Sequence, residues 1–351
     1  MTKILIYGAY GFTGKLIVQV AVDKGYKPLL GGRDNKKLKA LASSYDLESR
    51  AFSVEDTKSW GEVLPEIDLL INCAGPFGLT VEHVVPVCLR HKVHYLDITG
   101  EIDVFKYIAS LTKEAQNAGI VLMPGVGFDV VPTDCLSAKL KEKLPSGTHL
   151  ELAFQGNSGI SRGTALSMAR RYHEGGSIRQ NGKMVKVPIA YEVRDIDFGG
   201  KTRLCMTIPW GDVYTAYFTT GIPNIKVFTG VSQKTLNSLL SYKKLKGVAR
   251  TAVAQWIMRS IIKKKVVGPS IEKRQTYHTY LWGKIWDDQG ESVTLEMQTM
   301  ESYQLTAFTA VRAAEVILEG NIAPGYHTPA GAFGSDFIDQ FEKFKLEEVN
   351  G

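Results

Sequence analysis

The chain has 351 residues, a length that predicts roughly two domains. Hydrophobic residues make up 44% of it and charged residues 22%, a mixture typical of globular proteins that excludes a disordered or low-complexity chain. The four cysteines lie far apart, and no histidine stands at metal-ligand spacing from them. We therefore expect neither a disulfide framework nor a bound metal.

The formal net charge of +6 is distributed unevenly. Between Asp212 and Glu272 there is no acidic residue, while ten Lys and Arg give this stretch +10 and leave −4 for the rest. Residues 234–265 also carry an amphipathic pattern with Trp256 on the apolar side, which predicts a basic helix. Such a helix either packs on the core or meets an anionic membrane surface or an acidic protein. Nucleic acid is not expected as a partner, because no reader module is recognisable.

The first predicted element is a strand at Lys3–Tyr7, followed by a turn that contains Gly8, Gly11 and Gly14 and then by a helical pattern. This order of strand, glycine turn and helix brings backbone N–H groups and the positive helix end to a pyrophosphate. The start of the chain lacks the features of a signal peptide, and no apolar run is long enough to cross a bilayer. We expect a cytoplasmic protein, with a peripheral position at a membrane as the alternative.

The second predicted strand, Leu29–Gly32, runs directly into Arg33 and Asp34. At this distance from the glycine turn, NAD enzymes place an acidic residue on the ribose hydroxyls, whereas a guanidinium accommodates the 2′-phosphate of NADP. Because Arg33 comes first, the sequence favours NADP, and NAD stays open through Asp34. Asp34 has the alternative role of capping the helix predicted over 35–42.

Strand and helix patterns continue to alternate through the first third of the chain. This alternation predicts a Rossmann-type doubly wound parallel sheet, whose ligand lies beyond the carboxyl ends of the strands. The further strands are predicted at 50–54, 67–72, 93–98 and 120–123, with helices at 80–90 and 104–117.

The remainder predicts a second α+β domain built on a mainly antiparallel sheet. Its strands are predicted at 149–155, 202–208 paired with 213–219, and a hairpin of 277–286 with 292–299; helices are predicted at 163–172 and 303–319. The expected domains are 1–134, 135–300, and a C-terminal helix and tail over 301–351, for which a return to the Rossmann domain is open.

Hydride transfer usually needs a proton donor, and no residue stands out decisively. Asp97, Glu101 and Asp129 sit at strand ends that face the expected cleft, with Thr99 nearby, and the candidates for catalysis are Asp97, Thr99 and Asp129. Their alternative role is the capping of turns and helices.

Several segments together resemble the saccharopine dehydrogenase-like NAD(P)-binding oxidoreductases, in particular the shorter members and the related trans-acting enoyl reductases. The matching segments are 7–14, 32–33, 72–77, 95–101 and 127–134, with weaker likeness at 161–164 and 323–331. The resemblance implies a Rossmann domain, a second α+β domain and nicotinamide chemistry.

The resemblance also implies roles for individual residues. Gly8, Tyr10, Gly11, Phe12, Thr13 and Gly14 would hold the pyrophosphate, Arg33 the 2′-phosphate, and Asn72, Ala74, Gly75 and Pro76 the nicotinamide ribose. Tyr10 stands where the family often has Thr or Ser, which removes one hydroxyl contact but leaves the backbone cradle.

The sequence thus predicts an NADP-dependent oxidoreductase that acts on a small-molecule, carrier-bound, acyl or lipid-like substrate. A dehydrogenase of saccharopine or a related amino-acid adduct is one alternative. A nucleotide-binding scaffold at a membrane surface that catalyses no reaction is another. A homodimer is an open possibility for the assembly.

Overall fold

The computed structural model describes residues 3–156, 158–171, 175–243, 260–262 and 264–349. The chain folds into two compact units, the first formed by Met1–Val131 with Tyr303–Ala332 and the second by Pro132–Ser302 with Phe333–Gly351. The first unit therefore contains much of the C-terminal helix region, and the last residues of the chain lie in the second unit.

The strands and helices follow one another along the whole chain. The strands are β1 Ile4–Tyr7, β2 Leu29–Gly32, β3 Ser49–Ala51, β4 Leu69–Asn72, β5 His94–Asp97, β6 Val121–Met123, β7 His149–Gly156, β8 Gly176–Gln180, β9 Lys183–Val187, β10 Val193–Asp197, β11 Thr202–Thr207, β12 Asn224–Gly230, β13 His278–Trp286, β14 Ser292–Met300, β15 Gly325–Tyr326 and β16 Lys345–Val349. The helices are α1 Phe12–Asp23, α2 Asn35–Tyr45, α3 Thr57–Val63, α4 Val81–His91, α5 Ile102–Ser110, α6 Thr112–Ala118, α7 Val131–Lys143, α8 Arg162–Arg171, α9 Asp212–Thr220, α10 Gln233–Lys243, α11 Ile271–Thr276, α12 Ser302–Leu318 and α13 Pro329–Phe333.

The described residues of the first unit form a seven-stranded sheet in the order β15-β6-β5-β4-β1-β2-β3. Every pairing in it is parallel. The central strands β1 and β4 are buried along their whole length and, apart from Asn72 at the end of β4, are apolar, as expected for strands covered on both faces. The predicted Rossmann-type fold is thus confirmed, and β15 adds a short strand from near the end of the chain.

Aromatic packing fixes the end of β1, where the glycine turn begins. The Tyr7 hydroxyl donates a hydrogen bond of 2.9 Å to the carbonyl oxygen of Phe52. The Tyr7 and Phe52 rings both pack on Trp60, with ring centroids 4.9 and 4.7 Å away. All three side chains are at most 6% exposed, so this end of β1 is held by the core.

Helix α12 closes the first unit against the loop after β6. Thr306 Oγ1 accepts the N–H of Phe128 at 3.0 Å, and Thr309 Oγ1 donates to the carbonyl oxygen of Val126 at 2.7 Å. These bonds satisfy backbone groups of a buried loop that no strand partner reaches.

The second unit contains a mixed, mostly antiparallel sheet in the order β10-β11-β12-β7-β13-β14-β16, in which β8 also pairs with β12 and β9 pairs with β8. Its one parallel pair among the described strands joins β7 and β12. The predicted hairpin is confirmed as β13 and β14. This arrangement agrees with the predicted second domain.

The strand predicted over 213–219 is wrong, because these residues form helix α9. Val, Tyr, Thr and Phe favour strands, but Val213, Ala216 and Thr220 recur at helical spacing and are buried on one face. Tertiary burial of that face overrides the local preference. β11 pairs instead with β10 and β12.

The predicted basic helix over 234–265 is only partly described. Its start is helical in α10, and short helical pieces lie at 260–262 and 264–265. Residues 244–259, with Trp256, lie outside the described residues. Among those that the structure describes, no helix combines the length and the apolar character needed to cross a membrane.

Two helical glycines make a matched stability test. A Cβ on Gly14 would lie 2.5 Å from the carbonyl oxygen of Gly8, whereas a Cβ on Gly61 would meet nothing within 4 Å. We expect Gly14→Ala to destabilise the protein by about 1–3 kcal/mol and Gly61→Ala to stabilise it by about 0.5–1 kcal/mol. Calorimetric unfolding of both variants checks this, and equal shifts would contradict the close packing at Gly14.

Candidate functional site

The glycine turn after β1 lies in direct contact with the loop that follows β4. Gly8 has a positive φ of 81°, and a Cβ on it would lie 2.8 Å from the backbone of both Cys73 and Ala74. A side chain at this position is therefore excluded by geometry as well as by backbone conformation. The two loops at the carboxyl edge of the sheet form one continuous backbone surface.

Helix α1 presents its first turn at this edge. The N-cap Gly11 has no side chain to cap the helix, and the first intrahelical bond runs from the Lys15 N–H to the Gly11 carbonyl oxygen. The Gly11 N–H itself donates to the Gly8 carbonyl oxygen at 2.9 Å, so an anion at this helix start would meet the amides that follow Gly11. A cradle this close to the strand fits a pyrophosphate.

Tyr10 lies at the end of β2, on the side of the cradle where Arg33 begins. A Cβ on Gly32 would lie 2.7 Å from the Tyr10 ring, so the ring rests directly on this glycine. The Lys37 ammonium lies 5.7 Å from the ring centroid. The aromatic residue that stands where the resemblance expects Thr or Ser therefore packs against β2.

Arg33 and Asp34 differ in what they bind within the protein. Arg33 is exposed and makes no hydrogen bond or ion pair within the described part of the chain. Asp34 accepts the Lys37 N–H at 3.1 Å and pairs with the Lys37 ammonium at 2.7 Å, which caps α2 and lowers the pKa of Asp34. The capping role for Asp34 is thus present. The guanidinium remains open to a phosphate.

The loop after β4 is held by the side chain of Asn72, which is fully buried. Asn72 Oδ1 accepts the Ala74 N–H at 3.0 Å, and Nδ2 donates to Thr80 Oγ1 and to the Tyr95 hydroxyl at 3.3 and 3.2 Å. Asn72 therefore shapes the loop from inside. The predicted contacts of Asn72, Ala74, Gly75 and Pro76 with a ribose stay predictions.

Asp97 and Thr99 support neighbouring loops. The fully buried Asp97 carboxylate accepts the Tyr95 hydroxyl at 2.8 Å and the N–H groups of Thr99 and Gly125 at 3.0 and 2.9 Å. Burial is the main cause that raises the pKa of Asp97 to about 6. Thr99 Oγ1 accepts the N–H of Glu101 at 3.0 Å. These bonds join the ends of β5 and β6.

Asp129 is the catalytic candidate whose carboxyl lacks such bonds. It is partly buried and has no hydrogen bond or ion pair to any residue that the structure describes. A Cβ on Gly100 would lie 2.6 Å from Asp129 Oδ2, so the carboxyl rests on this glycine. Burial, followed by the charge of Glu101, raises the pKa of Asp129 to about 7. A carboxyl of this kind can give and take a proton near neutral pH.

Sequence reasoning missed what the side chain of Glu101 does. Its two carboxylate oxygens accept the N–H groups of Phe77 and Gly78 at 2.9 and 3.1 Å. No spacing in the sequence signals this contact, because it joins positions 24 and 23 residues apart. The bond from the Thr99 N–H to Asp97 is a local Asx turn, which the spacing of an Asp and a residue two positions later does indicate.

Comparison with known proteins places the first unit in a family. Residues 4–123 match the family model for the saccharopine dehydrogenase NADP binding domain, which confirms the predicted family and cofactor. The chain is 28% identical over 145 residues to a lipid droplet localized protein of Caenorhabditis elegans, which covers 37% of this chain and 34% of that protein. It is 26% identical over 145 residues to a trans-acting enoyl reductase of Mycobacterium bovis, with 37% and 33% covered. The chain thus spans about a third of the length of the curated relatives it matches.

The likeness of fold extends further than the likeness of sequence. Apo saccharopine dehydrogenase (L-Glu forming) from Saccharomyces cerevisiae superimposes with a TM-score of 0.72, over 100% of both chains and at 14% identity. The chain therefore has the fold of saccharopine dehydrogenase, and its residues 4–123 form a saccharopine dehydrogenase NADP binding domain.

Proposed function

We propose that the protein is an NADPH-dependent oxidoreductase that works at the carboxyl edge of the first unit's sheet. The observation that carries this proposal is the exposed Arg33 guanidinium, which has no partner among the described residues, beside an α1 N-terminus with an uncapped first turn. Together they match the 2′-phosphate and the pyrophosphate of one nucleotide. The Asp34 carboxylate is already paired with the Lys37 ammonium, which disfavours a bond from Asp34 to the ribose hydroxyls of NAD.

In this proposal, three parts of the first unit each bind a different part of the nucleotide. The amides of residues 12–14 bind the pyrophosphate, Arg33 binds the 2′-phosphate, and the loop after β4 receives the nicotinamide ribose. The chemistry that the bound cofactor supplies is hydride transfer. The chain contributes orientation, through loops that are fixed by buried hydrogen bonds, and a proton, through Asp129.

We propose Asp129 as the proton donor because, of the two candidate carboxyls Asp97 and Asp129, it is the one with no hydrogen bond or ion pair to a described residue. A pKa of about 7 leaves a substantial fraction protonated at neutral pH. Asp97 is enclosed by three donors and Thr99 is fully buried, so both support the loop on which Asp129 rests.

For the substrate we propose an acyl or lipid-like group, free or bound to a carrier. Support comes from the second unit, where large aliphatic side chains are exposed among basic residues. Val267 is 75% and Ile271 66% exposed, and Lys264, Lys265 and Lys273 are exposed nearby in the chain. The names of the nematode and mycobacterial relatives point the same way.

Oxidation of saccharopine or another amino-acid adduct is the alternative substrate class, and a non-catalytic scaffold is the alternative class of protein. An NADPH-oxidation screen with acyl thioesters and enoyl lipids, run beside an NADP+-reduction screen with saccharopine, separates the two substrate classes. Binding of NADPH without turnover of any of these would favour the scaffold.

A change at Arg33 tests the cofactor assignment. We expect Arg33→Ala to weaken NADPH binding about ten- to hundredfold, the loss of a charge-assisted bond of about 1.5–3 kcal/mol, and to change NADH binding little. Fluorescence titration of both nucleotides measures this. Arg90→Ala is the matched control, because Arg90 lies in the last turn of α4, at the opposite edge of the sheet. Failure of the wild type to bind NADPH at millimolar concentration would overturn the proposal.

The pKa of Asp129 predicts a pH-dependent stability. The folded state holds this proton more tightly than the unfolded chain, so the group's contribution to stability is complete below about pH 4 and lost as the pH rises through about 7. We expect Asp129→Asn to raise the melting temperature relative to wild type at pH 8 and to do so less at pH 5. Asp103→Asn, an exposed carboxyl on α5, is the control. A gain that is the same at both pH values would contradict the shifted pKa.

The exposed aliphatic and basic side chains predict binding to anionic lipid. We expect the protein to float with phosphatidylcholine vesicles that contain phosphatidylserine, less with pure phosphatidylcholine, and less as salt rises. Val267→Ser with Ile271→Ser removes apolar surface and is expected to weaken binding at least about tenfold. Tyr191→Ser with Val193→Ser is the control, since these exposed residues flank Glu192. Salt-insensitive flotation, or none, would count against a lipid surface.

A further inference from the structure

We propose that Glu101 is a positioning residue of this site, which holds residues 73–79 against the carboxyl end of β5 in the conformation that receives the cofactor. This inference rests on the proposed function, because it concerns the loop assigned to the nicotinamide side. Nothing in the family match assigns a role to this side chain.

The backbone of Glu101 is rigid. Its N–H donates to Thr99 Oγ1 at 3.0 Å, and its carbonyl oxygen accepts the N–H groups of Val104 and Phe105 at the start of α5. Thr99 is itself fully buried and bonded to Asp97. The side chain of Glu101 therefore extends from a fixed base.

The carboxylate is used in an unusual way for its position. Glu101 is the N-cap residue of α5, where an acidic side chain ordinarily bonds the helix's own first amides. Here it makes no such cap and instead reaches the next loop, accepting the N–H groups of Phe77 and Gly78 at 2.9 and 3.1 Å. The first turn of α5 therefore lacks a side-chain cap, and the loop after β4 receives two charge-assisted hydrogen bonds instead.

These two bonds complete the anchoring of the loop. At its beginning the loop is held by Asn72 and by Thr80, whose hydroxyl donates to the Ala74 carbonyl oxygen at 3.1 Å. Glu101 holds the other end. Between the two anchors lie Gly75 and Pro76, and Ala74 touches the backbone of Gly8. Release of the Glu101 end would therefore loosen the surface that both halves of the nucleotide share.

Glu101 also faces the proposed proton donor. Asp129 rests on Gly100, the residue before Glu101, and the nearby charge that raises its pKa is that of Glu101. The charge of Glu101 also raises the pKa of Asp97, although burial is the larger cause there. The position of one carboxylate therefore affects both the shape of the loop and the proton at Asp129.

Amide exchange and NADPH titration test the role. In Glu101→Gln without nucleotide, we expect the amides of Phe77 and Gly78 to exchange at least about tenfold faster while those of β4 stay unchanged, which shows that the fold is intact. NADPH is expected to bind about five- to tenfold more weakly. Carboxyl NMR is expected to show Asp129 titrating at lower pH, because a neighbouring negative charge is gone.

A second variant separates the effect of the carboxylate's position from the effect of its charge, and a third serves as a control. A Cβ on Gly78 would lie 3.1 Å from Glu101 Oε2, so Gly78→Ala displaces the carboxylate but keeps its charge. It is expected to speed exchange at residue 77 and to weaken NADPH binding with little change in the titration of Asp129. Glu82→Gln removes an exposed carboxylate in the first turn of α4 and is expected to change none of these readouts.

The outcomes distinguish this inference from the proposed function. If the wild type binds NADPH and Glu101→Gln binds it equally well, the positioning role is overturned, whatever happens to amide exchange. Unchanged exchange at residues 77 and 78 would overturn it as well. If the wild type does not bind NADPH, the proposed function fails, and the exchange data still report on the loop.

Discussion

Backbone contact between the end of β1, the first turn of α1 and the loop after β4 is the constraint on which the site depends. Gly8 and Gly14 permit it, since a Cβ on either would lie within 2.8 Å of another backbone atom. The contact sets the helix start directly above the strand end, where its amides converge on one point in front of the sheet. It also places Ala74 against Gly8, so the glycine turn and the loop after β4 are parts of one surface.

The charged groups around this surface are of two kinds: some bind other groups of the protein, and others have no partner among the described residues. Asp34 binds Lys37, Asp97 binds three donors, and Glu101 binds two amides of the neighbouring loop. Each thereby stabilises a helix start or a loop. Arg33 and Asp129 have no partner within the described residues. The proposed function uses both, Arg33 as the cation that binds the 2′-phosphate and Asp129 as the acid that supplies a proton.

The first unit could be predicted from the sequence because its signals are local. The apolar strands, the glycine turn and the cap at Asp34 each occupy a few consecutive residues, and parallel pairing follows from their alternation with helices. The segment 213–219 could not be assigned correctly, since its β-branched and aromatic residues favour a strand and only burial of one face selects α9. The two-residue β15 is too short for any sequence pattern to predict it.

Roles within the site were harder to predict than its location. The candidates Asp97 and Asp129 are the same residue type, one at the end of β5 and the other in the loop after β6. What distinguishes them is the set of donors around Asp97, one of which comes from the distant Gly125.

The bond between Phe128 and Thr306 spans 178 residues, and β15 pairs with β6 across a similar interval. During synthesis on the ribosome, the nucleotide-binding half therefore emerges long before the segments that seal its last loop and edge strand. The intervening second unit has to be translated first, and it in turn receives β16 only from the final residues. Contacts of such sequence separation slow folding, and until they form, the edge of the first unit's sheet at β6 stays unpaired in the nascent chain.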